Sequence, residues 1–237
     1  ALMGPTNSRS RLMEWLAKAG LKSPKGTGYN GQTMDALLAV LVQQGLIERS
    51  SPDSYRCPAD LVEIAIYHVV SKGQLADLCA AIESAEHFYD RGGYVTFSNY
   101  GQGIRLLRLA LIQGKDWTTT HKYLVACTAF PDYRKQHPYV HICGEPFCPP
   151  FMALLHLEMR LTVLGTLLQN AMVRLQSTAP FMASVESLFK GTASGTHSVG
   201  FIVPYAEYAV VSGQFDLAER ILAGRTEGQC LALHSAL

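Results

Sequence analysis

Charge is scarce in this sequence of 237 residues: Asp, Glu, Lys and Arg together supply 16%, against roughly 25% in ordinary soluble domains. A surface short of charge implies faces meant to be covered. Neither sign dominates, since the formal net charge is +1. That excludes a global electrostatic pull toward nucleic acid or an anionic membrane. Membrane-spanning apolar runs are missing too, because the greasiest stretch, 151–172, is interrupted by His156, Glu158 and Arg160. The opening Ala-Leu-Met-Gly-Pro-Thr-Asn has no apolar h-region, so no secretory signal is expected. The cysteines at 57, 79, 127, 143, 148 and 230 are scattered rather than framed. Thiols inside apolar helical runs behave as small hydrophobes, which points to reduced cysteines in a cytoplasmic setting.

Enzyme signatures are equally thin. Gly114-Lys115-Asp116 lacks the leading glycine and the Ser/Thr of a phosphate-binding loop. Ser187-Leu188-Phe189-Lys190 matches Ser-x-x-Lys without its companion motifs. The glycines at 191, 195 and 200 follow no strand, as a dinucleotide fingerprint would require. No catalytic residue and no cofactor is expected.

Apolar residues, at 48%, are plentiful enough for a proper core. Leu12, Trp15, Leu16 and Ala19 follow the spacing of an amphipathic helix, which Gly20 closes. Asn30 is a good N-cap for a second helix carrying Met34, Leu37, Leu38 and Leu41, and Gly45 ends it. Leu46–Arg49 and Ser54–Cys57, joined by Ser-Ser-Pro-Asp, predict a β-hairpin that Pro58 stops. From Ala59 onward, helices alternate with short glycine turns. Gly73, Gly114 and Gly213 lie 41 and then 99 residues apart, and "VVSKGQLADLCAAI" at 69–82 is nearly repeated by "VVSGQFDLAERIL" at 210–222. The expected fold is all-α with one small β-hairpin wing, divided into residues 1–58 and a helical-repeat body, 59–237. Residues 129–150, rich in Pro and aromatics, read as an ordered connection, and 191–200 as a small polar one. The aromatic segment 88–100, around Gly92-Gly93, reads as a capping loop or a ligand rim. The chain opens without Met and ends in Gln229–Leu237, which reads as helix, so a piece of a larger protein is expected.

Helix, loop, helix, Gly-Leu-Ile and hairpin over residues 8–58 resemble a winged-helix domain, down to the wing "QQGLIERSSPDSYRCP". The αα-hairpins after it resemble tetratricopeptide-like or other α-solenoid arrays, although the spacing exceeds the 34 residues of that repeat. The winged-helix-like start, "GIRLLRLALIQGKDW" and "HPYVHICGEPF" together look like the helical N-terminal region of bacterial Swi/Snf-type helicase-like ATPases. That resemblance implies an accessory region that regulates a motor or engages a substrate or partner; no motor motif is present.

Two groups of side chains are candidates for a site. Residues 1–58 hold seven Lys/Arg against four acids, a balance of +3. Arg9, Arg11, Lys22, Lys25, Arg49 and Arg56 are the candidate phosphate anchors, and Gln32 a candidate base reader. The would-be recognition helix, 30–44, carries no Lys or Arg and does carry Asp35, which favours protein docking over DNA. His137-x3-His141-x-Cys143-x4-Cys148 is the other group, the one plausible zinc cluster. The prolines at 138, 146, 149 and 150 oppose a geometry that brings all four to one ion, so no metal is expected. The functional expectation is macromolecular recognition, of protein through the helical-repeat surface. The alternative is a DNA-binding regulator whose helical body senses a ligand or dimerises. No membrane partner is expected, and the oligomeric state is left open.

Overall fold

The computed structural model describes residues 7–91, 93–144, 147–191 and 198–223, with backbone alone at 59, 60 and 63. The expected terminal helix, Cys230 and most of the 191–200 connection lie outside the described residues. The chain groups into two compact units, Ala1–Pro138 and Tyr139–Leu237, and the boundary expected at Pro58 falls inside the first. The fold is mainly helical, with two small antiparallel sheets where one hairpin was expected.

The first unit opens with β1 (Asn7–Ser8) and α1 (Arg9–Lys18), whose N-terminus is capped by Ser8 Oγ accepting from the Arg11 amide. In α2 (Gly31–Gln43), Asn30 and Thr33 form a reciprocal capping box: the Thr33 amide donates to Asn30 Oδ1 at 2.9 Å, and the Asn30 amide to Thr33 Oγ1 at 2.8 Å. Strands β2 (Glu48–Ser51) and β3 (Ser54–Arg56) form the expected hairpin. β1 adds a third strand, in the order β1-β3-β2; at two residues it is too short to leave a periodic signal. Met34, Leu38 and Tyr55 are the buried centre, with Leu12, Leu16, Leu37 and Ile47 packed around it.

Next come α3 (Ala59–Ser71), α4 (Leu75–Ala85), a second hairpin of β4 (Tyr89–Arg91) and β5 (Tyr94–Thr96), α5 (Tyr100–Ile112), α6 (Trp117–Cys127) and a 3-10 turn at Pro131–Arg134. The hairpin corrects the expected aromatic loop. Phe88 and Phe97 cluster with Tyr123 of α6 at centroid separations of 5.8–6.1 Å, leaving Tyr89 and Tyr94 exposed. α5 is buried almost throughout, and Gly103 lets it do so. A Cβ there would stand 2.7 Å from both Cys127 Sγ and the Phe97 ring.

In the second unit, α7 (Pro138–Cys143) leads to an isolated bridge between Gly144 and Phe147, and then to α8 (Pro149–Leu154). One short helix thus lies within the expected connection and a second begins at its end, where Pro149 and Pro150 occupy the first turn of α8 and a missing N–H costs nothing. The apolar stretch 151–172 is divided: α8 ends before Leu155, and α9 (Leu157–Val173) starts after His156. Then follow α10 (Ala179–Gly191), α11 (Val199–Val211) and α12 (Phe215–Leu222). α9 and α11 pack closely. Pro204 lies inside α11 and has no N–H for the carbonyl of Gly200. That carbonyl lies against Gly165 of α9, where an added Cβ would come within 2.0 Å of its oxygen.

The three junction glycines end helices, as expected of glycine turns. Gly73, Gly114 and Gly213 sit at φ of +66°, +62° and +71°. Each donates to the carbonyl three residues back, while the following residue donates five back: Gln74 to Val69, Lys115 to Ala110, Gln214 to Ala209. These are Schellman ends. Leu175 makes the same turn after α9 at φ +54° without being glycine.

Candidate functional site

The expected anchors converge less on solvent than on the protein's own acids. Arg9, at the start of α1, reaches α2: its Nε lies 2.6 Å from Asp35 Oδ1, and its Nη2 donates to the Gly31 carbonyl at 2.8 Å. Arg56 pairs across the hairpin with Glu48 at 2.6 Å. Arg49 turns back on its own loop, its guanidinium donating to the Pro52 carbonyl. Arg11 makes the deepest engagement. It donates to both oxygens of Glu86, at 2.7 and 2.9 Å, from 75 residues away in the chain. Lys22 and Lys25 are exposed on the loop between α1 and α2 with no ion-pair partner among the described residues. Gln32 is exposed on the first turn of α2, beside the acid Asp35.

Glu86 is a residue the sequence reading missed. It follows α4, and its side chain is 1% exposed. Besides Arg11 it accepts from Arg105 of α5 at 2.8 Å and from Gln102 Nε2 at 3.2 Å. Gln102 Nε2 also donates to the His87 carbonyl, and Gln102 Oε1 accepts from the Ser98 amide. Burial pushes the Glu86 carboxyl up, but the hydrogen bonds from Arg105 and then Arg11 outweigh it and hold the pKa below the ordinary glutamate value. The group stays ionised, and it ties α1 to α4 and α5. One sequence signal existed: Gln102, Arg105 and Arg108 recur every third residue in an otherwise apolar helix, which polar side chains occupy when they have buried work to do.

The zinc-type residues do not form a cage. No group of three or more His, Cys, Asp or Glu among the described residues is placed to hold a metal ion. The His137 ring lies tilted against Tyr133 at 5.6 Å between centroids, and burial lowers its pKa to about 4, so it is neutral. His141 is half-buried on α7; Cys143 ends α7 and Cys148 caps α8, both buried. The thiols of Cys79 and Cys127 are raised by burial to about 11 and about 12. Thiols so protonated are poor nucleophiles and poor ligands. The Ser-x-x-Lys coincidence is no dyad either, since Lys190 pairs along α10 with Glu186 at 3.7 Å.

Some large apolar side chains are left open to solvent. On α3, Ile64 (63% exposed), Tyr67 (70%) and Val70 stand at successive three-residue steps and share a face. The described residues also line two largely apolar clefts. One, of about 360 Å³, lies among α1, α2, the β2–β3 hairpin and α3–α4. The other, of about 790 Å³, lies in the second unit between α8, α9 and α10. In the latter the Arg160 guanidinium donates to the Leu155 and Ala153 carbonyls, at 3.0 and 3.4 Å, at the C-terminal end of α8. No helix among the described residues is long and apolar enough to cross a membrane.

Comparison of the chain with protein-family models, curated proteins and solved structures finds no match.

Proposed function

We propose that this chain is a non-catalytic recognition module that docks on protein, with the row Ile64, Tyr67 and Val70 of α3 as its contact face. One observation carries the reading: four of the six cations suited to phosphate binding are spent on internal acceptors, while this apolar row is left in water. A guanidinium already paired with a carboxylate must break that pair before it can neutralise a phosphate. An exposed aromatic flanked by aliphatics matches the composition of interface cores. The resemblance to the N-terminal region of helicase-like ATPases fits an accessory role beside a motor, in the cytoplasm. A DNA-binding winged helix is the second reading, favoured by the exposed Lys22, Lys25 and Gln32.

The test is a photoreactive residue in place of Tyr67, cross-linked in cells that express the chain. Protein adducts at this position, absent when the same residue replaces Glu186 on α10, are expected. Adducts that nuclease treatment removes would overturn the reading in favour of DNA.

A further inference from the structure

The larger cleft, in the second unit, carries a charge that its own walls do not neutralise. Leu157, Arg160 and Leu164 line it from α9, three and four residues apart and therefore on one face of that helix. Met152 and Ala153 of α8 and Ala183 of α10 line its other sides. Arg160 is the one charged side chain on the described lining. Its guanidinium lies at the α8 wall, because Nη2 donates to the carbonyl of Ala153, itself a lining residue, and to that of Leu155. Nη1 makes no hydrogen bond among the described residues and is open to solvent.

Two things could cancel this charge from within, and neither does. The carbonyls belong to the end of a helix of six residues, and even a long helix offers only about half an elementary negative charge at its C-terminus. As for acids, Glu158 stands two positions away on α9, where side chains diverge. Glu186 of α10 is taken by Lys190 at 3.7 Å. Arg160 forms no ion pair among the described residues. The α10 wall adds Ser184 and Ser187, one turn apart, and neither hydroxyl is engaged by another described residue.

One cation and two hydroxyls in an otherwise apolar cleft select an anion with an apolar body. The volume, about 790 Å³, falls within the roughly 300–1,000 Å³ typical of small-molecule pockets. A phosphate calls for several cations or a row of backbone amides, and the described lining offers a single guanidinium. A carboxylate carries one charge and matches it. We propose that this cleft binds a small apolar molecule with a single carboxylate, which accepts from Arg160 Nη1. The site does not rest on the docking role given to α3.

Two probes of one shape test this on the full chain: 4-phenylbutyrate, and 4-phenylbutyramide, which keeps the carbonyl oxygen and loses the charge. Backbone amide resonances of α8, α9 and α10 read the binding. Phenylbutyrate should move them saturably and bind about tenfold or more tightly than the amide, as a charge-assisted hydrogen bond would give. Arg160→Gln should erase that preference while the amide still binds, and Arg160→Lys, which keeps the charge, should retain most of it. Ala183→Phe, which adds bulk to the α10 wall, should weaken both probes. Equal affinities for the two probes, a preference that survives Arg160→Gln or is lost in Arg160→Lys, binding undiminished in Ala183→Phe, or shifts that do not saturate at the solubility limit of phenylbutyrate would overturn the proposal.

Discussion

Glu86 and Gly165 each hold a unit of this protein together, and they do it by opposite means. Glu86 is a buried charge reached by side chains from elements 75 and 19 residues away. Gly165 contributes no side chain at all; it works because two helix backbones meet where a Cβ would intrude. The N-terminal unit is therefore cross-braced by polar contacts that must all be present. The C-terminal unit rests on shape. Charge can be removed from the Glu86 brace by a proton, whereas the Gly165–Gly200 contact is made of backbone and has no group to titrate.

The largest effect should come from stranding the buried charge. Arg105→Ala leaves Glu86 desolvated with Arg11 as its remaining ion-pair partner among the described residues, and breaking a buried pair in this way costs about 3–5 kcal/mol. Both tryptophans, Trp15 and Trp117, lie in the N-terminal unit, so indole fluorescence during urea unfolding reads that unit directly. An unchanged midpoint would mean that Glu86 is not braced as described. Gly165→Ala is the counterpart in the other unit. Its Cβ would meet the Gly200 oxygen at 2.0 Å, and since backbone on both sides must give, a loss of about 3 kcal/mol is expected. Hydrogen exchange should locate that loss in α9 and α11, with the tryptophan signal untouched.

Acid sharpens the contrast. His137 has its folded pKa lowered to about 4 by burial, so between pH 6.5 and 4 the unfolded chain binds more protons than the folded one. Stability must fall as pH drops through that window, by about 2 kcal/mol after allowance for partial exposure. Glu86, also lowered, continues the loss further down, as pH falls through its folded pKa. His137→Gln should flatten the fluorescence-detected slope between pH 6.5 and 4 and leave the lower limb in place. A slope identical to the parent's would remove His137 from the account. The smallest effect concerns a turn. Leu175 holds the left-handed conformation that glycine adopts at the other Schellman ends, and it is 95% exposed, so its side chain contributes little packing to offset the strain. Leu175→Gly should stabilise by about 1 kcal/mol, while Gly73→Ala and Gly213→Ala should each destabilise by a similar amount.

The same two regions explain what could be read from the chain in advance. Helix ends marked by their own residue were legible: Asn30 as an N-cap, and Gly20, Gly45, Gly73, Gly114 and Gly213 as terminators, all at positive φ. A glycine signals a left-handed residue because little else tolerates one. Leu175 hid its turn because a leucine carries no mark of the left-handed conformation it adopts. The break at Leu155–His156 carries neither Gly nor Pro. The β4–β5 hairpin was obscured because strands of three residues give no usable alternation. For the candidate site the limit is sharper. The cations of residues 1–58 could be counted, but Arg11 pairs with Glu86, which lies outside that segment. Pairings so distant leave no local trace. The apolar row of α3 was visible as composition, yet only burial tells Ile64 and Tyr67 apart from Ile66.

Duplex affinity as a function of salt tests the central claim most directly. With Arg9, Arg11, Arg49 and Arg56 engaged internally, Lys22 and Lys25 are the anchors left. Each neutralised phosphate contributes about 0.9 to the log–log slope, so weak, sequence-independent binding with a slope of about −2 is predicted. Nanomolar binding to a selected site at physiological salt, with a slope near −5 and loss on Gln32→Ala, would contradict the account and make the N-terminal unit a DNA reader.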